Sequence, residues 1–276
     1  MTQLPKMPGF KIVGMLGKGG VATVYKGIDI ELNRKVAIKF LTPDFRQPLI
    51  EARFAKEAQL AANLYHSNIV SIFDVGYIIE GDQSINYIVM EFLEETLKTR
   101  LKKAPGFRLT PGTALGVAGA VLKGLTHAHK EKILHRDIKP ENVMFRGDGT
   151  PVIMDFGIAR VMDALTQLTR TGMTAGTPEY MSPEQALGNI IDHRSDIFST
   201  GIILYELLAG RQMFEGETMH IYSLVREARY EPLDNLKPGL PEKLYRVVDR
   251  ALAKEPDDRY QTCGEMLADL EECIFE

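Results

Sequence analysis

HRDIKPEN, residues 135–142, followed by DFG at residues 155–157, gathers Asp137, Asn142 and Asp155 with Arg136 and Lys139 in one short span of chain. Just upstream the pattern predicts a long helix. Thr110 can cap it, Pro111 falls in its first turn, and Ala114, Leu115, Ala118, Val121, Leu122 and Leu125 form one apolar face. Downstream, a second buried helix is expected from Asp196 to Ala209, its apolar run interrupted by Glu206, and further helices fill the chain to its end. The first part of the chain reads differently. Phe10 to Leu16 and Ala22 to Ile28 flank a glycine-rich GKGG, VAIKFL and INYIVMEF are apolar runs of strand length, and LIEARFAKEAQLAANL among them has helical spacing. The expectation is α+β and bilobal: a small sheet lobe with one helix over residues 1–93, then a larger, mainly helical lobe over 94–276. Two lobes meeting in EFLEE make a cleft there the default site.

GKGGVATV, Gly17 to Val24, joins two strands with backbone that could approach an anion closely. Taken alone, a glycine hairpin with no ligand is the commoner meaning of such a string. VAIK then places Lys39 in an apolar strand, where an ammonium needs a partner, and Glu57 on the following helix is the candidate. A lysine reaching out to solvent is the plainer alternative. The loop decides between them. Five fixed residues in HRDIKPEN match by chance in a chain of this length only about once in 10⁴.

These motifs, in this order, resemble the eukaryotic-type (Hanks-type) protein serine/threonine kinase family, and in detail its bacterial members. The resemblance covers nearly the whole chain and implies the bilobal kinase fold, with transfer of the γ-phosphoryl group of ATP to serine and threonine hydroxyls of protein substrates. It implies ATP with Mg²⁺ as the cofactors, Mn²⁺ being the alternative ion. By position, Asp137 is the catalytic aspartate that accepts the acceptor proton, Lys139 contacts the γ-phosphate and favours serine and threonine acceptors, and Asn142 and Asp155 are the metal ligands. Leu16, Gly17, Lys18, Gly19, Gly20, Val21, Ala22, Thr23 and Val24 form the phosphate loop, and Lys39, paired with Glu57, meets the phosphates. Val24, Ala37, Met90, Leu93 and Met144 would surround adenine, with the backbone of Glu91 and Leu93 on its edge. The ribose contact stays open between Glu94 and Glu95.

Between DFG and SPE the chain resembles an activation segment. GTPEYMSPE puts Thr177 against the catalytic loop and Glu184 opposite a distant arginine, matched by Arg259; Asp196 matches the aspartate that pins the loop backbone. Thr169 and Thr171 are spaced from Gly176 like paired phosphosites in bacterial relatives, and Arg136 could receive a phosphothreonine. An unmodified polar loop is the alternative. The chain departs from the pattern in small ways: Ala22 stands for the third glycine, Ser182 for an alanine, and Phe198 for a tryptophan.

Composition restricts the partners. Across 276 residues, 45% apolar and 25% charged, the chain is an ordinary globular one, and 33 basic against 37 acidic residues give no field that would attract nucleic acid. Cys263 and Cys273 are too far apart along one predicted helix for a disulfide and read as reduced thiols. His127, His129 and His135 lack the companions a zinc site needs, so His135 reads as a buried structural residue. No run is long and apolar enough to span a membrane, which points to the cytoplasm, or to the cytosolic kinase domain of a longer anchored protein. A kinase-domain dimer is compatible with the sequence. Two other functions compete: a pseudokinase binding module, which intact Lys39, Asp137 and Asp155 disfavour, and a small-molecule phosphotransferase, which has no need of the GTPEYMSPE platform.

Overall fold

Alternation along RKVAIKFL, residues 34–41, sets up the first part of the chain. Successive side chains of a strand point to opposite faces, so Val36, Ile38 and Phe40 enter one buried cluster while Ala37 and Leu41 enter another. Lys39 shares the second face. The computed structural model describes residues 5–19, 22–42, 48–80, 83–156 and 178–273, leaving aside the side chains at 48–50, 52, 53, 57, 80 and 83.

Five strands, β1 (Phe10–Lys18), β2 (Ala22–Asp29), β3 (Arg34–Leu41), β4 (Ile72–Glu80) and β5 (Gln83–Glu91), form an antiparallel sheet in the order β1-β2-β3-β5-β4. Helix α1 (Pro48–Ala62) lies against the face that holds Ala37 and Leu41, its Phe54 and Ala58 in the same cluster. Strand β4 was not singled out in the sequence. Its stretch IFDVGYIIE mixes a glycine and an aspartate into the apolar pattern, and Phe73, Tyr77 and Ile79 stay exposed on one face.

The second part begins with β6 (Glu95–Thr96), α2 (Leu97–Lys103) and α3 (Pro111–Lys130). The Thr110 hydroxyl accepts the Thr113 N–H at 3.3 Å, Pro111 opens the helix, and all six residues of its predicted apolar face are buried. Strands β7 (Val143–Phe145) and β8 (Pro151–Ile153) complete a second antiparallel sheet with β6. Then follow α4 (Pro183–Leu187), α5 (Arg194–Ala209), α6 (Thr218–Arg226), α7 (Leu233–Leu236), α8 (Glu242–Ala251) and α9 (Cys263–Glu272). The result is the α+β, two-part arrangement expected: an antiparallel sheet with one helix, and a larger helical body. Cys263 and Cys273, both buried, sit at opposite ends of α9.

The two parts are stitched together behind the cleft. The connection from α1 to β4 runs beside β8, where Ile153 N–H donates to Asn68 O and Val70 N–H to Ile153 O, each at 2.9 Å, and the Asn68 amide donates to Pro151 O.

Helix α5 is buried along nearly its whole length and ends at Gly210, whose φ of 78° is left-handed. A Cβ there would stand 2.5 Å from Gly106 O as well as in a strained backbone. Gly210→Ala is therefore expected to lower stability by about 2 kcal/mol or more, read from the urea midpoint. An unchanged midpoint would show that the α5 terminus is not packed as described.

Candidate active site

Asp196 lies in the first turn of α5 and is only 1% exposed. Its Oδ1 accepts the Arg136 N–H at 2.7 Å; its Oδ2 accepts the His135 N–H at 2.9 Å and meets His129 Nε2 at 2.8 Å. Burial alone pushes this carboxyl up, but the His129 ring and the backbone N–H groups outweigh burial and hold it below the usual range. Arg136 takes a left-handed φ of 69°, which a non-glycine residue keeps only where its surroundings over-determine it. Here Asp196 holds its N–H, and the Gln185 amide donates to its carbonyl at 2.9 Å. Gln185 belongs to a capping box with Ser182 at the start of α4, so the serine at the variant position has a structural use.

His135 is wholly buried. Its Nε2–H donates to Met154 O at 2.6 Å and its Nδ1 accepts the Asp137 N–H at 3.2 Å, which sets the tautomer and ties the loop to the segment leading into Asp155. The backbone thus delivers Asp137 with its carboxylate engaged from two sides. Lys139 Nζ lies 2.9 Å from Oδ1 and 2.8 Å from Oδ2, and Asn142 Nδ2 donates to Oδ2 at 2.9 Å and to the Asp137 carbonyl at 2.7 Å. The Met154 N–H in turn donates to Asn142 O at 2.8 Å. Asn142 and Asp155 therefore stand on adjacent, hydrogen-bonded backbone.

From the sheet, the Lys39 ammonium reaches Asp155 Oδ1 at 2.9 Å, with the lysine side chain 9% exposed. Asp155 has a left-handed φ of 63°. Lys39, Asp137, Lys139, Asn142 and Asp155 are thus linked into one constellation, although they come from β3, the loop after α3, and the residue pair after β8. The side chain of Glu57 lies outside the described residues; its backbone is on α1.

Above this constellation, Gly17 pairs with Val24 and Lys18 with Thr23 across β1 and β2, and the Gly19 N–H donates to Ala22 O at 2.9 Å. Leu16 is exposed and Ala22 is buried; Gly20 and Val21 lie outside the described residues. Ala37, Met90 and Leu93 belong to one buried cluster, with Val24 and Met144 packed against it. Glu95 is committed to Arg100 and Lys103, each at 2.9 Å, whereas Glu94 is exposed, 3.6 Å from Lys35. A small pocket lined mainly by apolar side chains, including Phe54, Met90 and Phe156, with Asp155 also in its wall, lies against α1.

A metal would need oxygen donors here. Asn142 and Asp155 supply an amide and a carboxylate, the hard donors that suit magnesium, which ordinarily takes one or two carboxylates together with substrate phosphates. Among the described residues no three acidic, histidine or cysteine side chains form a cage of their own.

Farther out, Arg259 forms a two-pronged pair with Glu184, Nη1 to Oε1 and Nη2 to Oε2, both at 2.8 Å. Burial raises the Glu184 carboxyl, but Arg259 and the Ser195 hydroxyl bring it below its ordinary value. Thr169, Thr171 and Thr177 lie outside the described residues. Sequence reasoning missed Gln185 and gave Glu206 no role, although a lone acid in the apolar run of α5 was a visible signal.

Glu206 is 5% exposed, its Oε2 accepts the Tyr180 hydroxyl at 2.8 Å, and no hydrogen bond to its Oε1 is formed among the described residues by strict geometry. Burial, helped by nearby Glu141 and Glu179, pushes this carboxyl from 4.5 up to about 7. A carboxyl raised on folding stabilises fully below its unfolded value, and that stability fades as pH climbs through the folded value. About 3 kcal/mol is therefore expected to disappear between pH 4.5 and somewhat above 7. Glu206→Gln, neutral throughout and still an acceptor for Tyr180, should match the parent near pH 5 and exceed its urea midpoint near pH 8. Parallel stability curves for the two proteins would refute this assignment.

The family model described as protein kinase domain matches residues 10–269. A probable serine/threonine-protein kinase of Streptomyces coelicolor is 42% identical over 270 residues, spanning 96% of this chain and 40% of the relative. Serine/threonine-protein kinase PknB of Mycobacterium tuberculosis is 39% identical over 265 residues, spanning 95% and 42%. This chain thus spans about two fifths of the length of these curated relatives. Among solved structures, the Mycobacterium tuberculosis PknI kinase domain superposes with a TM-score of 0.74 at 25% identity, covering 99% of this chain and all of that one.

Proposed function

The chain belongs to the protein kinase domain family, and from that premise we propose that it transfers the γ-phosphoryl group of ATP to serine and threonine hydroxyls of protein substrates. The observation that carries the reading is the linked set of Lys39, Asp137, Lys139, Asn142 and Asp155. Asp137 is the group that orients the acceptor hydroxyl and takes its proton, and its carboxylate is held for that task by Lys139 and Asn142. Lys139 then offers a cation beside the acceptor position, where negative charge spreads over the moving phosphoryl group. Lys39, paired with Glu57 in this reading, brings a second cation to the phosphates from the sheet side. Asn142 and Asp155 would hold Mg²⁺, or Mn²⁺ in its place, and the bound ion supplies further positive charge against the phosphate oxygens.

The lobes divide at residues 93 and 94 in this proposal, with the phosphate loop of residues 16–24 above and the adenine between Val24, Ala37, Met90, Leu93 and Met144. The backbone of Glu91 and Leu93 would bond the base edge. Glu94 is the ribose partner we assign, since Glu95 already serves Arg100 and Lys103. Arg136, Thr177, Glu184, Asp196 and Arg259 shape the loop and the platform, and phosphorylation of Thr169 and Thr171 is assigned to regulation. A polypeptide acceptor is favoured over a small molecule by the GTPEYMSPE stretch, which resembles the family's docking platform for an extended chain. Intact Lys39, Asp137 and Asp155 weigh against a pseudokinase. No helix among the described residues is long and apolar enough to cross a membrane. We assign the domain to the cytoplasm, with the cytosolic kinase domain of a longer anchored protein as the alternative, and take a domain dimer as its candidate assembly.

Incubation with labelled ATP and magnesium, followed by mass-spectrometric mapping, tests this directly. The parent chain should carry label on threonine or serine, with Thr169 and Thr171 among the sites, and Asp137→Asn should label at least about 100-fold more slowly. An equally labelled Asp137→Asn protein would sink the mechanism, and label confined to other residues would sink the regulatory assignment.

A further inference from the structure

Arg146 belongs to none of the groups given a role so far. It begins the turn from β7 to β8, where its N–H donates to Thr150 O at 3.0 Å and its carbonyl accepts the Gly149 N–H at 2.9 Å, so its Cα is fixed by a closed hairpin. From that base the guanidinium reaches across to the last residue of β5. Its Nε–H donates to Glu91 Oε1 at 2.7 Å and its Nη2 to Glu91 Oε2 at 2.9 Å, the paired geometry in which a guanidinium fork matches a carboxylate. Two further contacts fix the group: Nη1 donates to Ser67 O, and Nη2 approaches Ile69 O at 3.4 Å. One side chain therefore joins the β7–β8 hairpin, the α1-to-β4 connection and the strand end at which the chain leaves the five-stranded sheet.

Both partners are 23% exposed, too buried for a loose surface pair and too wet for an isolated buried charge. Glu91 is held from its backbone as well, its N–H donating to Ser71 O at 2.9 Å and its Cα opposite Val36 of β3. With side chain and N–H both committed, the carbonyl of Glu91 and the two residues after it have little freedom to turn. Those are the peptides assigned above to the adenine edge.

We propose that Arg146 is a positioning residue for the nucleotide: its fork on Glu91 holds the backbone of residues 91–93 in the orientation that bonds the base. The inference rests on the nucleotide reading of the cleft. Arg146 touches neither the base nor the phosphates in it, and its effect passes through Glu91. A mere staple would alter stability and every kinetic constant together, whereas a positioning residue shifts nucleotide affinity selectively.

The test is steady-state kinetics of Arg146→Gln, Arg146→Lys, Glu91→Gln and the Arg146→Gln/Glu91→Gln double variant, with calorimetric binding of magnesium ATP. Arg146→Gln and Glu91→Gln should each raise the KM and Kd for ATP about five- to twenty-fold, leaving kcat and the KM for a peptide acceptor within about twofold. Lysine, a point charge without the fork, should fall in between. The double variant should be no worse than the worse single one, since both remove the same contact. Unchanged ATP affinity, losses that simply add, or a fall in kcat at constant ATP affinity would each overturn the inference. Glu91→Gln keeps the size of the side chain and decides the matter should an Arg146 variant not fold. A parent chain that binds no ATP overturns the kinase reading with this one; an active parent whose variants bind ATP equally well overturns this one alone.

Discussion

A single carboxylate, that of Asp196, sets the shape on which the site depends. It lies in the first turn of a helix with almost no exposure, and it stays ionised because two backbone N–H groups and a histidine ring converge on it. The direction of dependence is clear from the geometry. Arg136 adopts a backbone conformation that its side chain disfavours, and the hydrogen bonds at its N–H and carbonyl are what keep it there. The turn made at Arg136 aims Asp137 toward Lys139 and Asn142, and His135 carries the same constraint across to the segment before Asp155.

The sheet contributes by a simpler rule. Period-two alternation along β3 gives Lys39 the same face as Ala37 and Leu41, so an ammonium enters an apolar wall, where it meets the Asp155 carboxylate. That pair spans 116 residues of sequence. It joins the two parts of the molecule through opposite charges, while Arg146 and the backbone bonds around Ile153 join them on the far side of the cleft. An ion pair links the parts in front, and the Arg146–Glu91 pair together with main-chain bonding does so behind.

Much of this was legible in the chain, and for physical reasons. Thr110 and Pro111 announce a helix start that any reader of caps would find, and the apolar positions of α3 recur at helical spacing. The catalytic loop could be read because several residue types must occur together at fixed offsets. Strand β4 was harder, since Gly76 and Asp74 disturb its pattern and half of its large apolar side chains face outward. The contact between Lys39 and Asp155 was harder still, because it depends on how the two parts of the chain close on each other, which periodicity cannot reveal; the expected partner Glu57 has its side chain outside the described residues. Arg146 gave no signal at all: a single arginine in a hairpin turn becomes informative only when the carboxylate and carbonyls around it are known. Glu206 stood out as an acid in an apolar helix, but its bond to Tyr180 comes from tertiary packing.

The Asp196 carboxylate thus governs the chemistry without governing nucleotide capture. The most direct measurement is the turnover of Asp196→Asn on a peptide acceptor beside its calorimetric affinity for magnesium ATP. Replacing one acceptor oxygen by an amide should misplace Asp137 and reduce kcat by about 100-fold or more, while the affinity for the nucleotide stays within about threefold. A variant that turns over at the parental rate would contradict the account.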